Sequence, residues 1–262
     1  MQSKTDSTEK GYRMPKLLCD LRSSSLGMNT TLNIIIPEQI TDDITTVYLL
    51  HGMYGDHTSW MCGTSIGRYA NKRKIAVIMP SAENSFYCNM KYGCRYYDYI
   101  AEELIEFTRK LFPLSNSREK TFVAGLSMGG YGAFKIALRR PEIFGAAASL
   151  SGCLDIHTSV NYCDWPEIAV CNWGEDFKTC VKGTDDDLFH LIESFPADMP
   201  KPRLYSTCGT EDILHAENTA FRDFMVGRGF DYSYNEGPGK HNWAFWDKWI
   251  DRAFEFMMPT EK

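Results

Sequence analysis

Three side chains in this sequence, a serine, an aspartate and a histidine, have the types and the order that nucleophilic catalysis needs. Ser127 lies in Gly125-Leu126-Ser127-Met128-Gly129, the Gly-x-Ser-x-Gly pattern of a nucleophile elbow, in which a strand turns sharply into a helix. A serine hydroxyl is a poor nucleophile at neutral pH, so it needs a base within hydrogen-bond reach and an acid that fixes the tautomer of that base. The pattern therefore predicts acyl transfer through a covalent serine intermediate.

A histidine suited to the base role stands near the C-terminus. His241 occupies a glycine-rich loop between the last predicted strand and the last predicted helix, from which it can reach back over the edge of a sheet. His190, inside an irregular segment, and His215, at a predicted helix start, are better explained as local structure. His51 falls just inside a predicted strand end, which favours a core position. We therefore predict His241 as the general base.

The acid is predicted from the strand that precedes it. Asp212 follows the predicted strand 203–208 and Gly209, a position from which a carboxylate reaches the second nitrogen of the histidine. The order serine, acid, histidine along the chain is the order that accompanies this type of elbow. Glu211 next door and Asp155, after an earlier strand, are the alternatives.

Two backbone amides are predicted to hold the oxyanion that forms when a serine attacks a carbonyl. Met128 follows Ser127 at the start of the elbow helix, where the N–H groups have no partner within the helix and the helix dipole favours negative charge. Met53 follows the apolar strand 47–50 in a glycine-bearing loop, the usual place of the second donor. The predicted oxyanion hole is therefore made of the Met53 and Met128 N–H groups.

The elements that must carry these residues alternate between short apolar strands and amphipathic helices. Strands are predicted at 17–22 and 31–36 (an antiparallel edge pair), 47–50, 75–80, 122–124, 145–152, 203–208 and 230–236. Helices are predicted near 66–70, over 97–111, after the elbow, around 221–225 and over 246–257. This alternation predicts an α/β fold with a mostly parallel central sheet and helices on both faces.

The chain is predicted to form a single domain of residues 17–262 behind a disordered tail of residues 1–16. Segment 153–200 departs from the alternation of strand and helix and is interpreted as a cap inserted over the active site, where such folds diversify substrate choice. Trp165 and Trp173 in this cap, together with Trp60, are predicted substrate contacts, with core packing as the competing interpretation.

Composition argues against nucleic-acid, membrane and metal-dependent functions. The 262 residues carry a net charge of −6 without a basic cluster, and no run approaches the roughly 18–20 apolar residues of a membrane span. The nine cysteines form no Cys-x-x-Cys pair or common zinc spacing, so we expect reduced thiols, no metal and no cofactor. The run Asp185-Asp186-Asp187 is typical of a solvated helix start. With a polar N-terminus that lacks a signal sequence, the chain is predicted to be cytoplasmic.

Four motifs, taken together and in order, resemble those of a known family. They are 48–60 with His51-Gly52-Met53-Tyr54-Gly55 at its centre, 124–133 around Ser127, Cys208-Gly209-Thr210-Glu211-Asp212, and Gly239-Lys240-His241-Asn242-Trp243. From about Leu17 to its end the chain resembles the esterase D-like putative esterase family, and within it the tributyrin esterases and the feruloyl (cinnamoyl) esterases. The resemblance implies an α/β-hydrolase fold, a Ser127-Asp212-His241 triad and an oxyanion hole at Met53 and Met128.

The expected function is that of a serine carboxylesterase acting on short-acyl or hydroxycinnamoyl (feruloyl-type) esters, with a small-molecule ester as its partner. More distantly the chain is similar to S-formylglutathione hydrolases and mycolyl transferases, so a thioesterase or an acyltransferase using the same triad is the alternative. A catalytically inactive binding protein on the same fold is the non-enzyme alternative, against which the intact serine, aspartate and histidine argue. The sequence is compatible with a homo-oligomer and does not specify one.

Overall fold

The computed structural model describes residues 15–38, 42–161 and 164–258, so most of the predicted tail lies outside the described residues. Its framework is an eight-stranded sheet in the order β1-β2-β4-β3-β5-β6-β7-β8. The strands are β1 (Lys16–Arg22), β2 (Asn29–Ile35), β3 (Thr46–Leu50), β4 (Ala76–Pro80), β5 (Thr121–Leu126), β6 (Ala146–Leu150), β7 (Arg203–Gly209) and β8 (Tyr232–Gly237).

The sheet is antiparallel at one edge and parallel elsewhere. β1 pairs with β2, and β2 with β4, in antiparallel register, whereas every pair from β4 to β8 is parallel. The edge pair matches the one predicted there, and the parallel remainder confirms the predicted α/β fold. Because parallel strands end at the same edge, the loops after β3, β5, β7 and β8 meet on one side of the sheet.

Helices cover both faces of this sheet, as the amphipathic patterns predict. They are α1 (Ser59–Gly63), α2 (Ile66–Arg73), α3 (Tyr96–Asp98), α4 (Leu104–Leu111), α5 (Met128–Arg139), α6 (Ile156–Asn161), α7 (Pro166–Trp173), α8 (Phe177–Cys180), α9 (Leu188–Glu193), α10 (His215–Met225) and α11 (Trp243–Met257). A π-helical turn at Tyr99–Glu103 joins α3 to α4. Among the described residues, no helix combines the length and the apolar composition that a membrane span requires.

Two apolar cores lie on opposite faces of the sheet because successive side chains of a strand point to opposite sides. Tyr48 and Leu50 of β3 belong to the core that α5 and α10 cover, whereas Val47 and Leu49 belong to the core beneath α2 and α11. Strand β5 lies between β3 and β6 in the middle of the sheet. Its C-terminal end is therefore fixed from both sides, which suits a residue that must be placed accurately.

The segment interpreted as a cap, residues 153–200, contributes the short helices α6 to α9. Asp187 caps α9, since its carboxylate accepts hydrogen bonds from the N–H groups of Phe189 and His190. The prediction that the acidic run is solvated is wrong for Asp187, which is buried, and for Asp186. The Asp186 carboxylate lies 2.9 Å from Nζ of Lys135, a fully buried residue of α5. The segment is thereby joined to the elbow helix by a charge pair.

Candidate active site

Ser127 stands at the junction of β5 and α5, in the strained conformation that a nucleophile elbow requires. Its φ of 53° and ψ of −122° lie in a region that residues with a Cβ rarely occupy. The turn is held on both sides, because the Ser127 N–H donates to the Leu150 carbonyl at 2.9 Å and the Ser127 carbonyl accepts from the Gly130 N–H at 2.9 Å. The hydroxyl consequently projects into a cleft at the C-terminal edge of the sheet.

The glycines of the elbow are required by close backbone approach. A Cβ on Gly125 would lie 2.3 Å from the carbonyl oxygen of Gly129, which is the collision across the turn that the spacing predicts. A Cβ on Gly129 would instead lie 2.5 Å from the carbonyl oxygens of Leu50 and His51. Gly129 therefore lets the start of α5 approach the end of β3, which brings the loop after β3 beside Ser127.

The structure brings Ser127, His241 and Asp212 together in one hydrogen-bonded line. His241 Nε2 lies 3.0 Å from Ser127 Oγ, and His241 Nδ1 lies 3.0 and 3.1 Å from the two carboxylate oxygens of Asp212. With Asp212 ionised, the imidazole proton belongs on Nδ1, which leaves Nε2 to accept from the serine hydroxyl. These distances match those of a serine, its base and the acid that orients the base.

The loops after β7 and β8 position Asp212 and His241, the predicted acid and base. A Cβ on Gly209 would lie 2.2 Å from the Gly239 carbonyl oxygen, so the two loops pack backbone to backbone. The same Gly239 carbonyl accepts a hydrogen bond from the Glu211 N–H at 3.0 Å. The His241 ring then packs edge-on against Trp246 of α11, with ring centres 5.0 Å apart. The last helix of the chain thus fixes the plane of the imidazole.

Asp212 is held in its ionised form. Its side chain is fully buried, and burial alone would raise its pKa, but the hydrogen bond and the charge of His241 and the N–H of Leu214 together hold the pKa of Asp212 below its ordinary value. The Leu214 N–H donates to Asp212 Oδ1 at 2.9 Å. The carboxylate of Asp212 therefore keeps its charge at neutral pH.

The other histidines and acids considered from the sequence lie elsewhere. His51 is completely buried, with Nδ1 donating to the Gly52 carbonyl at 2.7 Å and Nε2 accepting from the Ala82 N–H at 2.9 Å, which confirms its core position. His215 begins α10 and lies 3.0 Å from Glu236 on the surface, and His190 lies in α9. Of the two alternative acids, Glu211 is exposed, and the Asp155 carboxylate accepts from the Thr158 hydroxyl at 2.7 Å.

Met53 and Met128, the predicted oxyanion donors, both line the cleft that contains Ser127. Met128 is the first residue of α5, so its N–H has no acceptor within the helix. Met53 lies in the turn after β3, where the Gly55 N–H donates to the Gly52 carbonyl at 3.1 Å. A Cβ on Gly52 would lie 3.3 Å from Ser127 Cβ, so this turn packs directly against the elbow.

The cleft has a volume of about 810 Å³ and an apolar wall formed by the cap and by the loop after β4. Phe86 of that loop stacks on Trp165 of the cap with ring centres 4.9 Å apart, and both residues line the cleft. Lys135 Nζ donates to the Phe86 carbonyl at 3.0 Å, which holds Phe86 at its positive φ of 47°. Of the three predicted substrate contacts, Trp165 is therefore the one that faces Ser127's cleft.

Of the other two tryptophans, Trp60 is buried in the interior and Trp173 is partly buried. Trp60 is 1% exposed, and its Nε1 donates to the Leu50 carbonyl at 2.9 Å, beneath the loop that carries Met53. Trp173 donates from Nε1 to Asp186 Oδ2 at 3.0 Å and packs on the far side of the apolar wall, 5.3 Å from the Phe86 ring. Both positions favour the core-packing interpretation.

Several residues that line the cleft were not predicted from the sequence. Tyr54 and Ile213 are among the most exposed large apolar side chains of the described residues and stand at the rim of the cleft. Tyr54 directly follows Met53, and Ile213 directly follows Asp212. This adjacency to predicted site residues is the sequence feature that could have identified them. Glu217 also lines the cleft, although as an acid in the first turn of a helix it resembles an ordinary solvated position.

Metal-binding clusters are not found among the described residues, where no group of three His, Cys, Asp or Glu side chains converges. In the described ranges no disulfide joins the cysteines, which are Cys19, Cys62, Cys88, Cys94, Cys153, Cys171, Cys180 and Cys208. The polar groups that the structure brings together at this site are the Ser127 hydroxyl, the His241 imidazole and the Asp212 carboxylate.

Known proteins are similar to this chain in sequence. Residues 23–257 match a family model described as putative esterase. The chain is 35% identical over 253 residues to an acetyl esterase of Caldicellulosiruptor saccharolyticus, an alignment that covers 90% of this chain and 95% of that protein.

Two solved structures from Staphylococcus aureus are similar over nearly their whole length. The fluorophosphonate-binding serine hydrolase FphF has a TM-score of 0.87 at 36% identity, covering 94% of this chain and 98% of the other. The S-formylglutathione hydrolase FrmB has a TM-score of 0.84 at 36% identity, covering 94% and 99%. Both similarities support the α/β-hydrolase fold that the motifs imply.

Proposed function

The chain belongs to the putative esterase family and is a serine ester hydrolase, and from this premise we propose that it hydrolyses short-acyl esters of uncharged alcohols through Ser127, His241 and Asp212. One observation carries the proposal: the hydrogen-bonded line from the Ser127 hydroxyl through His241 to the buried Asp212, at the floor of a largely apolar cleft.

The first chemical step is acylation of Ser127. His241 Nε2 takes the hydroxyl proton as Oγ attacks the ester carbonyl, and the Asp212 carboxylate stabilises the imidazolium that results. The tetrahedral intermediate then collapses, the bond to the alcohol oxygen breaks, and His241 returns its proton to the leaving alcohol. An acyl group now occupies Ser127.

The second step repeats the sequence with water as the nucleophile. His241 removes a proton from water, the hydroxide attacks the acyl carbonyl, and Ser127 leaves with the proton from His241. In both steps the Met53 and Met128 N–H groups receive the negative charge on the carbonyl oxygen. Losing one such donor typically raises the barrier by about 3–4 kcal/mol.

The charges around the cleft favour an uncharged alcohol. Of the described residues that line the cleft, none is Lys or Arg, whereas Asp164 and Glu217 are acidic. A glutathione thioester carries net negative charge, because it has two carboxylates and one ammonium, and would meet Asp164 without a counter-ion. This composition supports an ester over S-formylglutathione, although FrmB shares the fold at 36% identity.

The acyl side of the substrate is assigned by similarity and by shape. The relative named acetyl esterase supports a small acyl group. The stacked pair of Phe86 and Trp165 supports a second class, flat hydroxycinnamoyl groups, because aromatic rings pack favourably on such a wall. Short-acyl esters remain the proposed main class.

A fluorophosphonate probe together with an ester panel tests the proposed function. We expect the probe to label the wild-type chain at Ser127 and to leave Ser127→Ala unlabelled. In the panel of p-nitrophenyl acetate, p-nitrophenyl butyrate, methyl ferulate and S-formylglutathione, a short-acyl ester should give the highest kcat/KM. An unlabelled wild type would favour an inactive binding protein, and a preference for S-formylglutathione would favour the thioesterase.

A further inference from the structure

Glu217 is an acidic residue of the cleft that the proposed acyl-transfer steps do not use. It lies in the first turn of α10, five residues after Asp212, and lines the same cleft as Ser127 and His241. Its side chain is only partly exposed. An acid in this position needs a structural or functional reason, because partial burial of a carboxyl group beside a reaction centre is costly.

The two carboxyl oxygens of Glu217 hold the beginning of the cap segment. Oε1 accepts from the Asp155 N–H at 2.6 Å, and Oε2 lies within hydrogen-bond distance, 2.8 Å, of the Ser159 hydroxyl oxygen. Asp155 and Ser159 flank the start of α6, the first helix after β6. The Glu217 side chain of α10 therefore contacts both the residue that precedes α6 and a residue in the middle of that helix.

The partners of Glu217 belong to the wall of the cleft. Thr158 and Ser159 of α6 both line the same cleft as Met53. Helix α10 is itself seated firmly, since Phe221 is fully buried in the core and Asn218 Nδ2 donates to the Gly152 carbonyl at 2.8 Å. The α6 wall of the cleft is therefore positioned by its contacts with Glu217.

The surroundings of Glu217 favour its uncharged form. Burial is the largest effect and raises the pKa of Glu217 to about 8, which the hydrogen bonds from Asp155 N and Ser159 only partly oppose. The charged or titratable groups around it are mostly acidic: Asp155 at the start of α6, the Cys153 and Cys208 thiols at the ends of β6 and β7, and Asp164 and His241 across the cleft. At neutral pH the carboxyl is therefore mainly protonated.

Ionisation of Glu217 would disturb the reaction in a defined direction. A carboxylate on the cleft wall repels the negative charge that develops on the carbonyl oxygen during attack by Ser127. The neutral form predominates below the raised pKa and is lost as the pH rises through it. Activity is therefore expected to fall on the alkaline side when Glu217 loses its proton.

We propose that Glu217 is a positioning residue that fastens α6 to α10 and thereby sets which acyl groups fit beside Ser127. The inference rests on the proposed esterase function. Glu217 acts through Ser159 and the α6 wall and does not touch the reacting atoms. Its removal should widen the cleft on the α6 side, and its ionisation should weaken the reaction without opening the cleft.

Two variants separate the two effects. Glu217→Ala removes both hydrogen bonds, so we expect the ratio of kcat/KM for p-nitrophenyl octanoate to that for p-nitrophenyl acetate to rise about tenfold, the size expected when hydrogen bonds that fix a wall are lost. Glu217→Gln retains an acceptor for Asp155 N and supplies a donor to Ser159, so this variant should keep the wild-type ratio and lose the alkaline decline between pH 7 and pH 10. Glu211→Gln, at an exposed neighbour, is the matched control.

Hydrogen exchange gives a readout that does not depend on activity. Amides of 155–161 should exchange faster in Glu217→Ala than in the wild type or in Glu217→Gln, while those of β5 stay protected. The inference would be overturned if Glu217→Ala left both the octanoate-to-acetate ratio of kcat/KM and the amide exchange of 155–161 unchanged. It would also be overturned if the alkaline decline in activity persisted in Glu217→Gln. A wild type without esterase activity would overturn the proposed function instead, and the exchange experiment would still decide whether Glu217 fastens α6.

Discussion

Lys135 of α5 and Asp186 of the cap form an ion pair beneath the cleft wall, with Nζ 2.9 Å from Oδ1 and the lysine side chain fully buried. Asp186 also receives the indole N–H of Trp173, and its carbonyl accepts from the Tyr131 hydroxyl at 2.7 Å. The pair joins α5, the helix that begins beside Ser127, to the segment 153–200, several residues of which line the cleft. Burial opposes both charges, yet each partner stabilises the charge of the other.

Neutralising Asp186 should destabilise the fold far more than neutralising its neighbour. In Asp186→Asn the buried ammonium of Lys135 loses its counter-ion, and we expect a loss of about 3 kcal/mol in the free energy of unfolding, measured by urea denaturation. Asp185→Asn is the matched control, because Asp185 pairs with Arg139 at 3.2 Å on the surface and should cost at most about 1 kcal/mol.

The effect of Asp186→Asn should depend on pH. Burial would raise the pKa of Asp186, but the Lys135 ammonium holds it below its ordinary value. The stabilisation from the ion pair is therefore present above the ordinary pKa of an aspartate and is lost as the pH falls through the lowered pKa of Asp186. At that acidic pH the stabilities of the wild type and of Asp186→Asn converge. Equal losses for the two asparagine variants at neutral pH would contradict the assignment of a buried pair.

Replacing Asp212 by asparagine should reduce turnover on the order of 10⁴-fold while leaving the fold intact. An asparagine can present its amide N–H to His241 Nδ1, which moves the imidazole proton to Nε2 and removes the acceptor for the Ser127 hydroxyl. Measurement of kcat with p-nitrophenyl acetate tests this. Glu211→Gln should retain activity. A larger loss of kcat in Glu211→Gln than in Asp212→Asn would reassign the acid to Glu211.

Alanine at two glycines should have opposite effects on stability. A Cβ at Gly125 would lie 2.3 Å from the Gly129 carbonyl oxygen, so Gly125→Ala should cost about 1–3 kcal/mol and distort the elbow enough to reduce activity. A Cβ at Gly67 in α2 comes no closer than 3.7 Å to Lys16. Gly67→Ala should therefore raise stability by up to about 1 kcal/mol. Thermal unfolding of both variants would show whether the signs differ.

Removing Trp165 should affect aromatic acyl groups more than acetyl. Trp165→Ala deletes the face on which Phe86 stacks, so we expect kcat/KM for methyl ferulate to fall about tenfold and that for p-nitrophenyl acetate to change much less. Trp173→Phe is the control, because it keeps a ring at a position behind the wall. A similar loss for both esters would indicate that Trp165 stabilises the cap and does not select the acyl group.

Local patterns were sufficient to predict the sheet and the three central side chains. The strands of the middle of the sheet are apolar runs because both faces are buried, and Ser127, Asp212 and His241 each follow a strand whose end lies at the same edge. Parallel topology converts these separate sequence positions into neighbours. The catalytic roles themselves stay a prediction until the variants are measured.

Contacts between distant segments could not be predicted in this way. Asp186 appeared solvated because its partner Lys135 lies 51 residues away on another element. Trp60 and Trp173 resembled cleft residues, since a tryptophan in a loop or cap has the same composition whether it faces substrate or core. Glu217 showed no local signal, because the hydrogen bonds that distinguish it come from α6 across the chain.

The placement of His241 on a loop between β8 and α11 has a consequence for biosynthesis. During translation Ser127 and its strained turn emerge well before His241, and α11, the helix that packs against the imidazole and against β6 and β7, follows His241 along the chain. A nascent chain that has not yet reached His241 therefore holds Ser127 without its predicted base. On the proposed mechanism, ester cleavage begins only after α11 has emerged and packed against β6 and β7.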